Sequence, residues 1–361
     1  MSELRYHPFL DQWVITATHR QDRTFHSPAD YCPLCPTKPG GFPTEVPFDS
    51  YDVAVFENKF PSLSPEPPDP AVAGSELMPV QPSIGVCEVV LYSQVHDSTF
   101  ATLPFQQVRK LARVWRERFI DLAARPYVEY VFIFENKGKE IGVTLGHPHG
   151  QIYAYPNIPP TQRIELESEK RHFERTGRPL MADLLTEMGV GGEDFGAIDV
   201  VSTMPAAGVV PGDLTPETPA RRGADGQSHL VWENACFVAF VPFFARYPYE
   251  VYVTSKRHIR SLKEMSEEEL DDLAEILLVV TRKYDKLFGF SMPYIMSMHQ
   301  EPALAGYEFN WFHVEFYPPY RTATKLKYLA GSEAAAGAFI NDTLPEVTAK
   351  TLRDLDVGSV R

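Results

Sequence analysis

The segment Gly-His-Pro-His-Gly-Gln, residues 146–151, gathers more chemistry than any other stretch of the chain. His147 and His149 are one residue apart, so on an extended strand both rings point to one face. Pro148 stiffens the backbone between them, and Gly146 and Gly150 let that backbone approach a ligand closely. Such a backbone suits a phosphate. An imidazole can attack phosphorus to form a phosphoramidate and then leaves more readily than an alkoxide, so a histidine here suits carrying a nucleotidyl group between two phosphates. Gln151 supplies an amide donor for the phosphoryl oxygens. Two other readings stay open on these residues alone, a second pair of metal ligands and histidines packed at a strand edge.

Cys32 and Cys35 lie in Tyr-Cys-Pro-Leu-Cys-Pro, where two prolines stiffen a turn able to aim both thiolates at one ion. The other cysteines are Cys87 and Cys236, so the chain has too few for a disulfide scaffold and no second close pair. Histidines are then the natural supply of further ligands, and His96 and His147 predict a Cys2His2 zinc site; a buried thiol pair and a redox pair are the alternatives. A further set, Glu165, His299, His313 and Glu315, mixes carboxylate and imidazole. It suits iron, zinc or manganese, or else a buried ion-pair network. Arg20 and Arg23 carry forked donors able to grip a diphosphate, although surface arginines are common. Asn58 and Asn136 share the context Phe-Glu-Asn-Lys, and each offers an amide for a base edge or a ribose hydroxyl, or simply a turn.

The elements that must position these groups are written twice. Residues 87–96, CEVVLYSQVH, align without a gap on residues 249–258, YEVYVTSKRH, and both end in histidine. Each is strand-like and is followed by a run of helical period: Val108, Leu111, Trp115, Phe119 and Leu122 in the first copy, and Leu270, Leu273, Leu277, Val280, Tyr284 and Leu287 in the second. Ser266 and Glu269 form a capping box ahead of the second run. Two strand-like runs close each copy, and on this reading His147 and His149 correspond to His313 and Glu315. A duplication is expected. Between the copies, residues 189–228 are rich in Gly and Pro and read as a loop or linker; the stretch from Ser332 reads as Ala-rich helix broken at Pro345.

Composition narrows the function classes. The 34 Lys and Arg against 48 Asp and Glu give a net charge of −14, which excludes a general phosphate-neutralising surface for nucleic acid but allows a local anion pocket. No apolar run approaches a membrane span, and the opening MSELRYHPFLDQW lacks the apolar core of a signal peptide, so a cytoplasmic protein with no membrane partner is expected.

HPHGQ preceded by FENKG, with CPLC, SQVHDSTFATLP and FYPPYRTATKLKYLAGSE, resembles the galactose-1-phosphate uridylyltransferase family of the histidine triad superfamily. The likeness covers nearly the whole chain and is poorest across 189–228. It implies an α+β fold of two duplicated histidine-triad-like half-barrel lobes, antiparallel sheets with flanking helices, divided into 1–176 and 177–361. It implies transfer of UMP between UDP-glucose and galactose 1-phosphate by a ping-pong route, with His149 as the covalent carrier and Gln151 holding the phosphoryl oxygens. Arg20, Arg23, Asn58, Lys59, Asn136, Gly142, Val143 and Thr144 would line the UDP-sugar site, and Lys327, Tyr328 and Glu333 would contact the hexose phosphate. Cys32, Cys35, His96 and His147 would hold zinc; Glu165, His299, His313 and Glu315 match a second site, for iron or a second zinc. Subunits of the family pair as homodimers. Three positions depart from its pattern: Glu315 stands where the family has histidine, Ser332 where tyrosine is frequent, and Phe339 where glutamine is expected.

Overall fold

The computed structural model describes residues 2–22, 31–190 and 229–361. Arg23 and nearly all of the 189–228 stretch therefore lie outside the described residues. In chain order the elements are β1 (Ser2–His7), β2 (Gln12–Ala17), β3 (Ala54–Glu57), β4 (Val80–Pro82), β5 (Val86–Leu91), α1 (Phe105–Ala123), β6 (Tyr130–Lys137), β7 (His149–Tyr155), α2 (Pro160–Thr176) and α3 (Leu180–Glu187). From residue 229 onward come β8 (Leu230–Glu233), β9 (Phe237–Phe240), β10 (Val251–Ser255), α4 (Glu267–Phe288), β11 (Tyr294–His299), β12 (His313–Tyr317), β13 (Tyr320–Thr322), β14 (Lys325–Leu326) and α5 (Pro345–Arg353).

The duplication is real, and its halves share one sheet. Nine strands run in the order β3-β5-β7-β6-β11-β12-β10-β9-β8, every neighbouring pair antiparallel. β6 pairs with β11 at the centre, so the two copies meet edge to edge and each supplies a β-strand, helix, two-strand unit. The helices α1 and α4 cover one face, because their apolar residues fall at three- and four-residue spacing: Val108, Leu111, Trp115, Phe119 and Leu122 are buried on α1, and Leu270, Leu273, Leu277, Val280 and Tyr284 on α4. Both stripes join a single core with alternate residues of the strands. The capping box forms as expected, Ser266 Oγ accepting from the Glu269 amide at 3.2 Å and Glu269 Oε2 from the Ser266 amide at 2.8 Å. Ion pairs such as Arg109 Nε to Asp271 Oδ1, 2.6 Å, stitch α1 to α4.

The opposite face carries the candidate site. The small sheet β2-β1-β4 covers one end through Leu4, Leu63, Cys87 and Tyr153, the 31–51 segment covers another through Leu34, Val46, Val89 and Leu91, and α3 packs over Val238, Phe240, Tyr252 and Trp311. The proline-rich opening thus forms short strands and loops packed on the first half.

The register of the repeat needs correction. Leu91 on β5 faces His149, whereas Thr254 on β10 faces His313, so Leu91 corresponds to Thr254 and not to Val253 as in the ungapped match. A one-residue slip exchanges the faces of a strand: Val90 and Val253 both join the helix-side core, while the ungapped match sets Val90 against Tyr252 on the other side. The loop after β10 is one residue shorter, which restores the equivalence of His96 and His258. Likewise His149 and Gln151 correspond to His313 and Glu315, and His147 corresponds to Trp311. The His96 and His147 rings lie 5.6 Å apart, and those of His258 and Trp311 4.9 Å. Pro345, read as a break, instead opens α5, where a missing N–H costs nothing. No helix among the described residues is long and apolar enough to cross a membrane.

Candidate functional site

β7 presents His149, Gln151, Tyr153 and Tyr155 on the face away from the helices, with Gly150, Ile152 and Ala154 beneath. The His149 ring is fixed by its Nδ1, 2.7 Å from the His147 carbonyl oxygen. A carbonyl only accepts, so Nδ1 carries the proton and the lone pair falls on Nε2, the arrangement a nucleophilic imidazole requires. The second copy repeats the device: His313 Nδ1 lies 3.0 Å from the Trp311 carbonyl oxygen.

Gly150 is needed for packing. A Cβ there would lie 2.1 Å from the Tyr92 hydroxyl oxygen, and Tyr92 is fully buried, edge-on to Phe100 and Trp115. Gly150→Ala is therefore expected to cost about 2–3 kcal/mol through overpacking and to displace His149 and Gln151 on either side. Thermal melts with kcat measured on the same preparation check this; a variant with wild-type Tm would contradict it.

A cavity of about 480 Å³ opens beside His149, with Asn136, Val143, Thr144, Thr99 and Ser291 in its walls. That volume suits a small-molecule site. The loop between β6 and β7 forms one wall, turning at Gly138 and Gly142, both at positive φ. A Cβ on Gly138 would also strike Pro293 at 2.6 Å.

The Cys/His set assembles beside the same loop. One donor atom each from Cys32, Cys35, His96 and His147 lie within 4.8 Å of one another. Cys35 Sγ is 3.5 Å from His96 Nδ1 and 3.6 Å from His147 Nδ1; the S-to-N edge of a tetrahedral zinc site is about 3.5 Å. His147 Nε2 donates to the Ser93 carbonyl at 2.8 Å and lies 2.9 Å from the Tyr51 hydroxyl, which turns Nδ1 toward the thiols. Burial holds the His147 imidazole down at about 4, so it is neutral and able to ligate. Burial and the neighbouring Cys32 push the Cys35 thiol up to about 11; two adjacent thiols need a cation to become thiolates.

Donor atoms of Glu165, His299 and His313 likewise lie within 4.8 Å of one another. α2 brings Glu165, whose Oε2 is 2.7 Å from His299 Nδ1. Glu315 differs from the other three. Its carboxylate is engaged by Arg246 Nη2 at 3.1 Å and lies 3.3 Å from His313 Nε2 and 3.6 Å from His299 Nε2. Burial alone raises a carboxyl, but the two imidazoles and Arg246 hold Glu315 well below its usual range, and Glu315 in return holds His313 up against its own burial.

The other expected residues are distributed unevenly. Arg20 Nη1 donates to Ser62 Oγ at 2.7 Å and reaches the Tyr153 hydroxyl at 3.5 Å, which puts it on the β7 site face. Asn58 donates its amide to the Cys87 carbonyl at 2.8 Å while its side chain accepts from the Phe60 amide at 2.9 Å, so it also makes a turn. Lys59 is exposed and Gly142 ends a short helical turn. Lys327 is buried with Nζ 3.1 Å from Glu333 Oε1, while Tyr328 is exposed; none of the three lines the cavity at His149. Sequence reasoning missed Glu135 and Lys137, which flank Asn136 and line the same cavity, and Arg246, which partners Glu315. The first two were available from their place in FENKG; nothing in the residues around Arg246 signals a buried ion pair.

Comparison with known proteins agrees with this geometry. Residues 1–159 match the N-terminal domain of galactose-1-phosphate uridyl transferase, and residues 218–359 match its C-terminal domain. The galactose-1-phosphate uridylyltransferase of Thermotoga maritima is 37% identical over 361 residues, 99% of each chain. A solved uridylyltransferase structure superposes with a TM-score of 0.77 at 31% identity over 97% of both chains. An ADP-glucose phosphorylase from Arabidopsis thaliana has a similar fold, with a TM-score of 0.67 at 21% identity over 99% of this chain and all of that one.

Proposed function

Because the chain belongs to the galactose-1-phosphate uridylyltransferase family, we infer that it moves UMP between UDP-glucose and galactose 1-phosphate by a ping-pong route with His149 as carrier. The observation that carries this reading is the His149 ring, anchored at Nδ1 by the His147 carbonyl beside a ligand-sized cavity. Nε2 attacks the α-phosphorus of UDP-glucose, the bond to the bridging oxygen breaks, and glucose 1-phosphate leaves with the electron pair. A phosphate oxygen of galactose 1-phosphate then attacks the same phosphorus, and the P–N pair returns to Nε2. Gln151, on the same strand face, donates to the phosphoryl oxygens as charge shifts between them.

For the UDP-sugar we assign Arg20, Arg23, Asn58, Lys59, Asn136 and the loop Gly142, Val143 and Thr144; for the hexose phosphate, Lys327, Tyr328 and Glu333. Ser332 is too short to place a hydroxyl where a tyrosine would, its Oγ donating instead to the Ala338 carbonyl at 2.7 Å, and Phe339 has no amide, so the uridylyl end of the assignment rests on more contacts than the galactosyl end. Zinc at Cys32, Cys35, His96 and His147 has the supporting donor spacing and would fix the loop that carries His149; no chemical step runs through it. Glu165, His299, His313 and Glu315 are assigned to iron or a second zinc, with Arg246 balancing the extra carboxylate. We further propose a cytoplasmic homodimer and a division of the chain near residue 176.

The test is isotope exchange. Labelled glucose 1-phosphate is expected to enter UDP-glucose without any second acceptor, because the first half-reaction is complete in itself. Exchange that requires galactose 1-phosphate would overturn the ping-pong route, and faster exchange into ADP-glucose would overturn the uridine preference.

A further inference from the structure

His299 ends β11 and His313 opens β12, and the two pair directly across the strands; Glu315 follows on the same face of β12, paired with Ser297. His299, His313 and Glu315 are all buried. Both rings have Nδ1 already engaged: His313 Nδ1 lies 3.0 Å from the Trp311 carbonyl oxygen, and His299 Nδ1 2.7 Å from Glu165 Oε2. Carbonyl and carboxylate oxygens only accept, so each Nδ1 carries the proton and each lone pair falls on Nε2. Both Nε2 atoms face one carboxylate. His313 Nε2 is 3.3 Å from Glu315 Oε1, and His299 Nε2 is 3.6 Å from Glu315 Oε2. Two lone pairs set against a buried carboxylate repel it unless a cation stands where they converge. Arg246 Nη2 engages Oε2 at 3.1 Å, which leaves Oε1 turned to His313. Ser297 Oγ, 3.1 Å from His299 Nε2, is a hydroxyl whose hydrogen turns to either side.

Resting on the assignment of this set to a metal, we propose that the donors to a divalent transition ion are His299 Nε2, His313 Nε2 and Glu315, a triad of two histidines and one carboxylate. Glu165 is then a positioning residue that holds the His299 ring through Nδ1 without touching the ion. Separations decide between the two carboxylates. Nitrogen and oxygen donors on one tetrahedral ion stand about 3.4 Å apart. The Glu315 contacts of 3.3 and 3.6 Å match that edge, whereas the 2.7 Å between Glu165 and His299 is a hydrogen bond. A neutral ring has one lone pair, so the nitrogen that donates its proton to Glu165 is closed to the ion. A carboxylate accepting the second ring proton is the usual way a ligating histidine is oriented. Burial points the same way: the Glu165 side chain is 31% exposed and that of Glu315 1%, so the charge in need of a counter-ion is the one on Glu315. Three protein donors leave the ion an open position, unlike the four-donor Cys2His2 set.

The experiment adds Co2+ to protein carrying one equivalent of zinc, which Cys32 and Cys35 retain because thiolate is the softer donor. It reads the visible ligand-field absorption and the dissociation constant. The wild type is expected to bind one further equivalent. Glu165→Gln keeps an acceptor for the Nδ1 proton, so its absorption envelope is expected to match the wild type while affinity falls by about 10–100-fold. Glu315→Gln alters a donor and is expected to change the envelope and to lose more affinity than Glu165→Gln. Glu315→His returns a nitrogen donor to the position and is expected to bind with a shifted envelope; it carries the test if the Gln variant does not fold. A changed envelope in Glu165→Gln, or an unchanged one in the Glu315 variants, would overturn the proposal while leaving the metal assignment in place. A wild type that takes up no second ion would overturn that assignment and this inference with it, and UMP transfer through His149 is tested separately by its own adduct.

Discussion

His149→Ala is expected to lower UMP transfer by about 10⁴-fold or more while UDP-glucose still binds within a few-fold of the wild type. The reason lies in what the side chain contributes. On the proposed route its Nε2 lone pair, set by the 2.7 Å contact between Nδ1 and the His147 carbonyl, forms the covalent bond, and β7 carries no other imidazole. The walls that would hold the nucleotide are other residues, Asn136 on β6 and Val143 and Thr144 on the loop that follows it. Rapid-quench assay of glucose 1-phosphate release, with calorimetric binding of UDP-glucose to the variant, separates the two effects. Lost binding with an undiminished chemical step would count against His149 as nucleophile.

Cys32→Ser is expected to act on stability before chemistry. On the proposed zinc assignment, loss of one of four donors leaves three that hold the ion less tightly, and metal binding free energy is folding free energy. The cost is on the order of 4 kcal/mol, or roughly 8 °C in Tm for a chain of this size, with zinc content falling below one equivalent. A secondary effect on turnover follows from connectivity: His147 gives its ring to the cluster and its carbonyl to His149, so a loosened cluster blurs the aim of the nucleophile. Metal analysis and thermal melts check the assignment. A variant with full zinc content and an unchanged Tm would contradict it.

Much of this was legible in the sequence because the chemistry is local. Two histidines and a glutamine at alternate positions must share a strand face, and a CPLC knuckle has little else to do than point two thiols together. The Cys2His2 set came from spacing and the repeat, and the structure brings all four residues together. The register of the repeat was less accessible: Glu88, Val89, Ser93 and His96 match Glu250, Val251, Ser255 and His258 by identity, yet a loop shortened by one residue puts the strand parts of that match on opposite faces. Identity counts do not see faces; cross-strand pairing does. For the same reason Glu135 and Asn136, adjacent in FENKG, have different surroundings, one beneath the sheet and one above it. Glu315 was legible as a departure from a histidine pattern, but its engagement by Arg246, 69 positions away, depends on how the 241–250 turn folds back on β12.

The most direct measurement is intact mass spectrometry of the protein at neutral to basic pH after mixing with UDP-glucose, and separately with ADP-glucose, followed by peptide mapping. The expected result is a UMP-sized adduct on the peptide bearing His149, formed from UDP-glucose and discharged by galactose 1-phosphate. An adduct on another residue, an adduct from ADP-glucose in preference, or none from UDP-glucose would contradict the account.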